Sequence, residues 1–142
     1  MEAWEKAAPE ISPYDGIADL LHHLAEKEIP MAIVSSRESR LIWETLEKLS
    51  WKGYFSAVVG QEDAPRHKPA PQPFLMAARA MELDPEHCIY VGDQPWDIQA
   101  LKSAGMYSGA ALWGEGRLEE LEVESPNFLF HLPSDAIKTV TG

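Results

Sequence analysis

The sequence has one cysteine, Cys88, among 142 residues. An internal disulfide is therefore excluded, and the composition fits a reducing compartment. Cys88 itself reads as a small buried strand residue. Basic residues are also scarce: 12 Lys and Arg stand against 23 Asp and Glu, for a formal net charge of −11. That balance argues against a nucleic-acid partner or an anionic membrane surface. It leaves room for a small anionic substrate, because one local cation reverses the field at a site. No apolar run approaches the roughly 18 residues of a membrane span. The acidic N-terminus is unlike a secretory leader, and no repeat or low-complexity tract is visible. The expectation is a soluble, cytoplasmic chain of one domain's length, whose 45% apolar residues suffice for an ordinary core.

What is present is organised around residues 88–105. Ile89-Tyr90-Val91 reads as a buried strand. Gly92 ends it, and two carboxylates follow, Asp93 and Asp97, on either side of Pro95. Pro95 suits the first turn of a helix and Gly105 its C-terminal stop. Two acids therefore stand just past the C-terminal end of a strand, where open α/β sheets place ligands. Their hard oxygens suit Mg²⁺. Local duties fit the same residues: Asp97 favours the helix dipole and Asp93 caps the turn.

Taken in order, residues 1–12 read as a helix turn or two stopped near Pro9, or as a linker. A turn at Ser12 to Gly16 launches a helix with Ile17, Leu20, Leu21 and Leu24 as its apolar stripe. His22 and His23 are adjacent on that helix and point in different directions, so a shared metal is not expected. Pro30 precedes a strand, Met31 to Val34, and Ser35-Ser36-Arg37-Glu38-Ser39 follows. These hydroxyls suit an oxyanion, and they equally suit a helix cap. A helix over 40–49 carries Leu41, Ile42, Thr45, Leu46 and Leu49, with Trp43 and Trp51 as packing or surface cover. A strand at Phe55 to Gly60 leads into a loop stiffened by Pro65, Pro69, Pro71 and Pro73, which holds Lys68 and the neighbouring His67. The next helix, over 74–83, is expected to turn Leu75, Ala78 and Met81 inward. Beyond residue 105 come strands at 109–112 and 127–130, a short acidic helix at 117–121 and a terminal helix at 133–140. Strands alternating with helices predict an α/β, Rossmann-like three-layer sandwich with a mainly parallel sheet and right-handed crossovers. Ser35, the Lys68 loop, Asp93 and Asp97 then meet at one sheet edge.

On these residues the chain resembles the haloacid dehalogenase superfamily, in its phosphoglycolate-phosphatase-like branch. Ile33-Val34-Ser35-Ser36-Arg37 resembles the family's second motif, and His67-Lys68-Pro69-Ala70-Pro71 the third. Val91-Gly92-Asp93-Gln94-Pro95-Trp96-Asp97-Ile98, with Ala104-Gly105-Met106, resembles the fourth. The likeness implies that Ser35, with Ser36, binds a phosphoryl oxygen. Lys68 would neutralise charge on that group and on the attacking carboxylate. Asp93 would bind Mg²⁺, and Asp97 would support the metal or its waters. The implied activity is hydrolysis of the phosphate monoester of a small metabolite. Selectivity in this family comes largely from a cap domain; Trp96 and Trp113 stand where they could line an uncapped mouth.

The family's first motif, Asp-x-Asp-Gly-Thr after a strand, has no counterpart: the sequence holds no Asp-x-Asp. Its only Asp-Gly is Asp15-Gly16, and Pro13 stands where the nucleophile would be. Tyr14-Asp15-Gly16 resembles instead the family's entry to the helix before the second motif. By this likeness residues 1–12 are a remnant of the cap's last helix, and 13–142 form the core domain. The first strand of the family is central, between those ending at Ser35 and Gly92. Burying four or five apolar strand residues contributes about 1.5–3 kcal/mol each, comparable in sum with the ~5–15 kcal/mol net stability of a domain. The expectation is that the two flanks pair directly, are complemented by an N-terminal polypeptide, or meet across a homodimer. Function is accordingly expected along one of two lines: a phosphohydrolase lineage whose nucleophile lies outside these residues, or a phosphate- and Mg²⁺-binding or regulatory module.

Overall fold

The computed structural model describes residues 16–66, 68, 70–113 and 116–141. The expected helix turns of residues 1–12, most of the turn at 12–16, and His67 lie outside them. Gly16, at φ 86°, opens helix α1 (Ile17–Glu26). Ile17, Leu20 and Leu21 are buried along one face of it, as a 3.6-residue period requires. Then follow β1 (Ala32–Val34), α2 (Ser39–Lys48), β2 (Ala57–Val59), α3 (Gln72–Ala80), β3 (Ile89–Gly92) and α4 (Pro95–Ala104). The last elements are β4 (Tyr107–Ala111), α5 (Leu118–Val123), β5 (Phe128–Phe130) and α6 (Pro133–Thr141). Gly105, at φ 77°, closes α4 in the left-handed conformation that a residue with a Cβ rarely adopts.

All recorded strand pairings are parallel. β1 pairs with β2 through Ile33 and Val58. β3 pairs with β4 through Tyr90 and Ser108, and β4 with β5 through Ala110 and Leu129. Period-two alternation sends successive strand residues to opposite faces. Ile33 joins a cluster with Ile17, Leu20, Ile42, Leu46 and Ala136 from α1, α2 and α6. Val34 and Tyr90 join a second, with Phe74 and Ala77 from α3 and Ala100 and Leu101 from α4. Helices thus cover both faces, and the strands are apolar on both sides, as parallel strands must be. The expected α/β sandwich is the observed one.

Two details differ from expectation. In α3 the residues turned inward are Phe74, Ala77 and Ala78, while Leu75 is 38% exposed. Phe74 meets Tyr90 edge-on, with ring centroids 4.6 Å apart. Ala78 is buried and Met81 packs against the second cluster as expected, so the difference is confined to Leu75, whose place on the inward face Phe74 takes. The strands, moreover, do not form one ladder among the described residues. They form a β1–β2 pair and a separate β3–β4–β5 sheet. Direct pairing of the flanks of β1 and β3, one of the three expected arrangements, is not present. The link between them is a side chain: Tyr90 Oη donates to the carbonyl oxygen of Val34 at 3.0 Å.

Leu101 is fully buried between α4 and the sheet. Leu101→Ala is expected to lower unfolding stability by about 2–5 kcal/mol, the cost of lost transfer energy plus a cavity, with the urea midpoint as the readout.

Candidate functional site

Three loops meet at the C-terminal edge of the strands. The first follows β1. Ser35 is buried, and its Oγ accepts the Arg37 N–H at 3.1 Å, which folds the chain sharply before α2. Ser36, beside it, is exposed. The second loop follows β2 and is stitched to the first. Gln61 N–H donates to Arg37 O at 2.7 Å, and Glu62 accepts both the Ser39 N–H and the Ser39 hydroxyl. Gly60 permits this approach, since a Cβ there would stand 2.5 Å from Ser39 N. The Ser39 hydroxyl, then the backbone bonds, hold the Glu62 carboxyl below the usual carboxylate range.

The far end of that second loop, together with the third loop, which follows β3, and α4, supplies the charges. Lys68 Nζ donates to Asp97 Oδ1 at 2.9 Å, with the two side chains 5% and 0% exposed. The Phe74 and Tyr90 rings each lie 5.9 Å from the ammonium, and their faces favour a cation. Asp97 stands in the first turn of α4, where its Oδ2 accepts the Gln94 N–H at 3.3 Å in a capping box with Gln94. A Cβ on Gly92 would come within 2.6 Å of that same Oδ2. Glycine there lets β3 end against the carboxylate. Asp93, the next residue, is wholly buried.

A cavity of about 70 Å³ at this edge is lined by Ser35, Ser36, Gly60, Gln61, Lys68 and Pro73, together with Val34. That volume is several times the ~10–15 Å³ that admits one water. Ser35, Ser36 and Lys68 therefore line one small cavity. Asp97 reaches it through Lys68, and Asp93 stands behind, at the end of β3. Both are buried hard carboxylates, and both oxygens of Asp97 accept hydrogen bonds, from Lys68 and from the Gln94 N–H. Among the described residues no three His, Cys, Asp or Glu side chains cluster as a ready metal site.

Other residues fill the plainer roles. His22 pairs with Glu26 at 2.6 Å on the exposed face of α1, and His23 Nδ1 lies 3.0 Å from Asp19 O. Cys88 is buried, and burial, reinforced by the Asp84 carboxylate, pushes its thiol up. Trp51 is buried, and Trp43 and Trp113 pack against the first core cluster. Trp96, next to Asp97 in the chain, is 45% exposed and does not line the cavity. Sequence reading did not single out Gly60, Gln61 or Glu62. A glycine at a strand's end is a usable signal for Gly60; the Glu62–Ser39 clamp spans 23 positions and carries no local one.

This fold and its edge of hydroxyl, lysine and aspartates define a class. The haloacid dehalogenase-like hydrolase model matches residues 1–111, and the chain belongs to that family. Among its relatives, it is 35% identical over 126 residues to the phosphoglycolate phosphatase of Aquifex aeolicus, covering 89% of this chain and 58% of that one. It is 32% identical over 121 residues to the phosphoglycolate phosphatase of Escherichia coli K12, covering 85% and 48%. The chain thus spans about half the length of the curated relatives it matches. A haloacid dehalogenase-like hydrolase from Streptococcus pneumoniae superposes with a TM-score of 0.81 at 23% identity, over 89% of this chain and 59% of that one. No helix among the described residues is long and apolar enough to cross a membrane.

Two measurements probe this edge. Lys68→Met removes the cation beside a buried carboxylate and is expected to destabilise the fold by about 3–5 kcal/mol; adding Asp97→Leu should recover much of that in a double-mutant cycle. The Glu62 clamp has a defined pH dependence. A carboxyl whose folded pKa is depressed stabilises the fold above its unfolded value, and that contribution disappears as pH falls through the lower folded value. The protection factor of the Ser39 amide, its exchange relative to the intrinsic rate at each pH, should therefore begin to fall below about pH 4.3, the ordinary glutamate value, and Glu62→Gln should abolish this acid-dependent step.

Proposed function

We propose that this chain supplies the phosphate- and cation-binding edge of a Mg²⁺-dependent phosphohydrolase, phosphoglycolate-phosphatase-like in type, that acts on small phosphorylated metabolites in a reducing, cytoplasmic setting. The observation that carries this reading is the buried Lys68–Asp97 pair at the rim of the Ser35–Ser36 cavity. A phosphoryl group in transfer spreads negative charge over its oxygens, and catalysis consists largely of donors and cations already in place. Ser35 and Ser36 offer hydroxyls to such an anion, and Lys68 offers an ammonium oriented by Asp97 and two rings. Asp93 is the residue suited to hold Mg²⁺ directly, with Asp97 acting through Lys68 or bound water. The metal would supply charge neutralisation at the phosphoryl oxygens.

These residues contain no Asp-x-Asp. In this reading they bind and polarise but do not provide the attacking carboxylate. The second reading is a module that binds phosphate and Mg²⁺ without turnover. Calorimetric titration with inorganic phosphate, with and without Mg²⁺, tests the shared claim. Phosphate should bind more tightly with Mg²⁺, and Asp93→Asn should weaken binding about tenfold or more, the worth of one charge-assisted contact. Absence of phosphate binding in both conditions would refute the site. Hydrolysis of an aryl phosphate should not exceed that of Asp93→Asn. Metal-dependent turnover lost in that variant would place a nucleophile within these residues and end the non-catalytic reading.

A further inference from the structure

The segment between β4 and α5 lies against Asp93, and the contact runs through a glycine. A Cβ built on Gly116 would overlap the backbone oxygen of Asp93 and stand 2.9 Å from its carbonyl carbon. Non-bonded carbon atoms sit best about 3.5–4.0 Å apart. The obstacle is main chain, so no change of rotamer relieves it. The demand at 116 is for space alone, since its φ lies outside the left-handed region. Gly105 presents the opposite case. Its φ is 77°, and among the described residues nothing lies within 4 Å of a Cβ placed there.

Both sides of this contact are held in place. Leu112 N–H donates to Phe130 O at 2.9 Å, which ties the chain leaving β4 to β5. Further on, Leu121 of α5 is fully buried in a cluster with Ile98 of α4 and Ala110 of β4. On the other side, only Asp93 and Gln94 separate β3 from α4. Gln94 O accepts the Asp97 N–H at 3.0 Å, and Gln94 N–H donates to Asp97 Oδ2 at 3.3 Å. This two-residue link is therefore anchored to the first turn of α4 and bears on Gly116 through the Asp93 carbonyl.

We propose that Gly116 is a positioning residue for the cation side of the site. Bare backbone at 116 lets the segment after β4 fix where the Asp93 main chain lies, and with it the aim of the Asp93 carboxylate. A side chain at 116 would push that main chain away and turn the carboxylate with it. The cost falls on the cation and not on the anion, because Ser35, Ser36 and Lys68 reach their cavity from other loops. The proposal rests on the reading of Asp93 as the residue that holds Mg²⁺.

Calorimetric titration of the full chain tests it, with inorganic phosphate alone and with Mg²⁺ at fixed phosphate. Gly116→Ala is expected to weaken Mg²⁺ binding about tenfold or more, the usual cost of disturbing what orients a metal ligand. Phosphate affinity without Mg²⁺ is expected to be unchanged. Gly105→Ala is the control: it strains a left-handed backbone without touching Asp93. It should lower the thermal midpoint and keep the Mg²⁺ affinity. A measurement on the unaltered chain decides the matter if Gly116→Ala does not fold. In an NMR titration the Gly116 amide should shift with Mg²⁺ at the same half-saturation as the Asp93 amide. Three results would overturn the proposal and leave the reading of Asp93 standing. They are Mg²⁺ affinity kept in folded Gly116→Ala, equal weakening in both alanine variants, and a Gly116 amide that stays still while that of Asp93 moves. Phosphate affinity lost without Mg²⁺ in Gly116→Ala would mean general disruption and would also overturn it. Absence of any Mg²⁺ effect in the unaltered chain would overturn the reading of Asp93, and the proposal with it.

Discussion

The buried ion pair between Lys68 and Asp97 is the interaction on which the candidate site depends. Two charges withdrawn from water are costly unless each finds a close partner and further hydrogen bonds. Here the ammonium has a carboxylate and two aromatic faces, and the carboxylate has a helix-capping N–H as well. Those requirements fix several distant parts of the chain at once. The proline-rich loop must close onto α4, Phe74 must lie against Tyr90, and β3 must end in a glycine. The inward place on α3 taken by Phe74 rather than Leu75 belongs to the same contact.

The architecture then aims this pair at one place. Parallel strands covered by helices on both faces send every strand-to-helix loop to the same edge. Ser35 arrives there from β1 and Asp93 from β3. The Gly60–Glu62 segment arrives from β2 and is clamped to the start of α2. The chain's overall acidity does not oppose an anion at this edge, because the ammonium and the hydroxyls are local and a half-buried setting limits screening by solvent. The residues of the family's motifs thus meet at one edge of the strands.

The division of the strands into a pair and a triplet has a different physical origin. Every strand has a parallel neighbour on at least one flank, and β4 has one on each. The facing flanks of β1 and β3 are held by the helices around them rather than by each other, with one tyrosine hydroxyl across the gap. A sheet normally gains from closing such a gap. Here side chains of both sheets, Ile33 with Ile89 and Val91, pack in one cluster.

The sequence by itself determined the alternation of strands and helices, the parallel fold class, the caps at Pro95 and Gly105, and the residues brought to the edge. These are local properties: apolar period, special backbone angles and short motifs, each readable within a few positions. It also showed, through a missing Asp-x-Asp, that the familiar nucleophile is not among these residues. Only the tertiary structure decided that Phe74 rather than Leu75 turns inward on α3, that Lys68 is engaged by Asp97 with both oxygens of Asp97 occupied, and that Glu62 clamps Ser39. It alone placed the Tyr90 hydroxyl against the Val34 carbonyl oxygen. Each of these depends on groups separated by tens of residues, whose meeting is set by how helices pack on strands, and no local pattern in the chain encodes that distance.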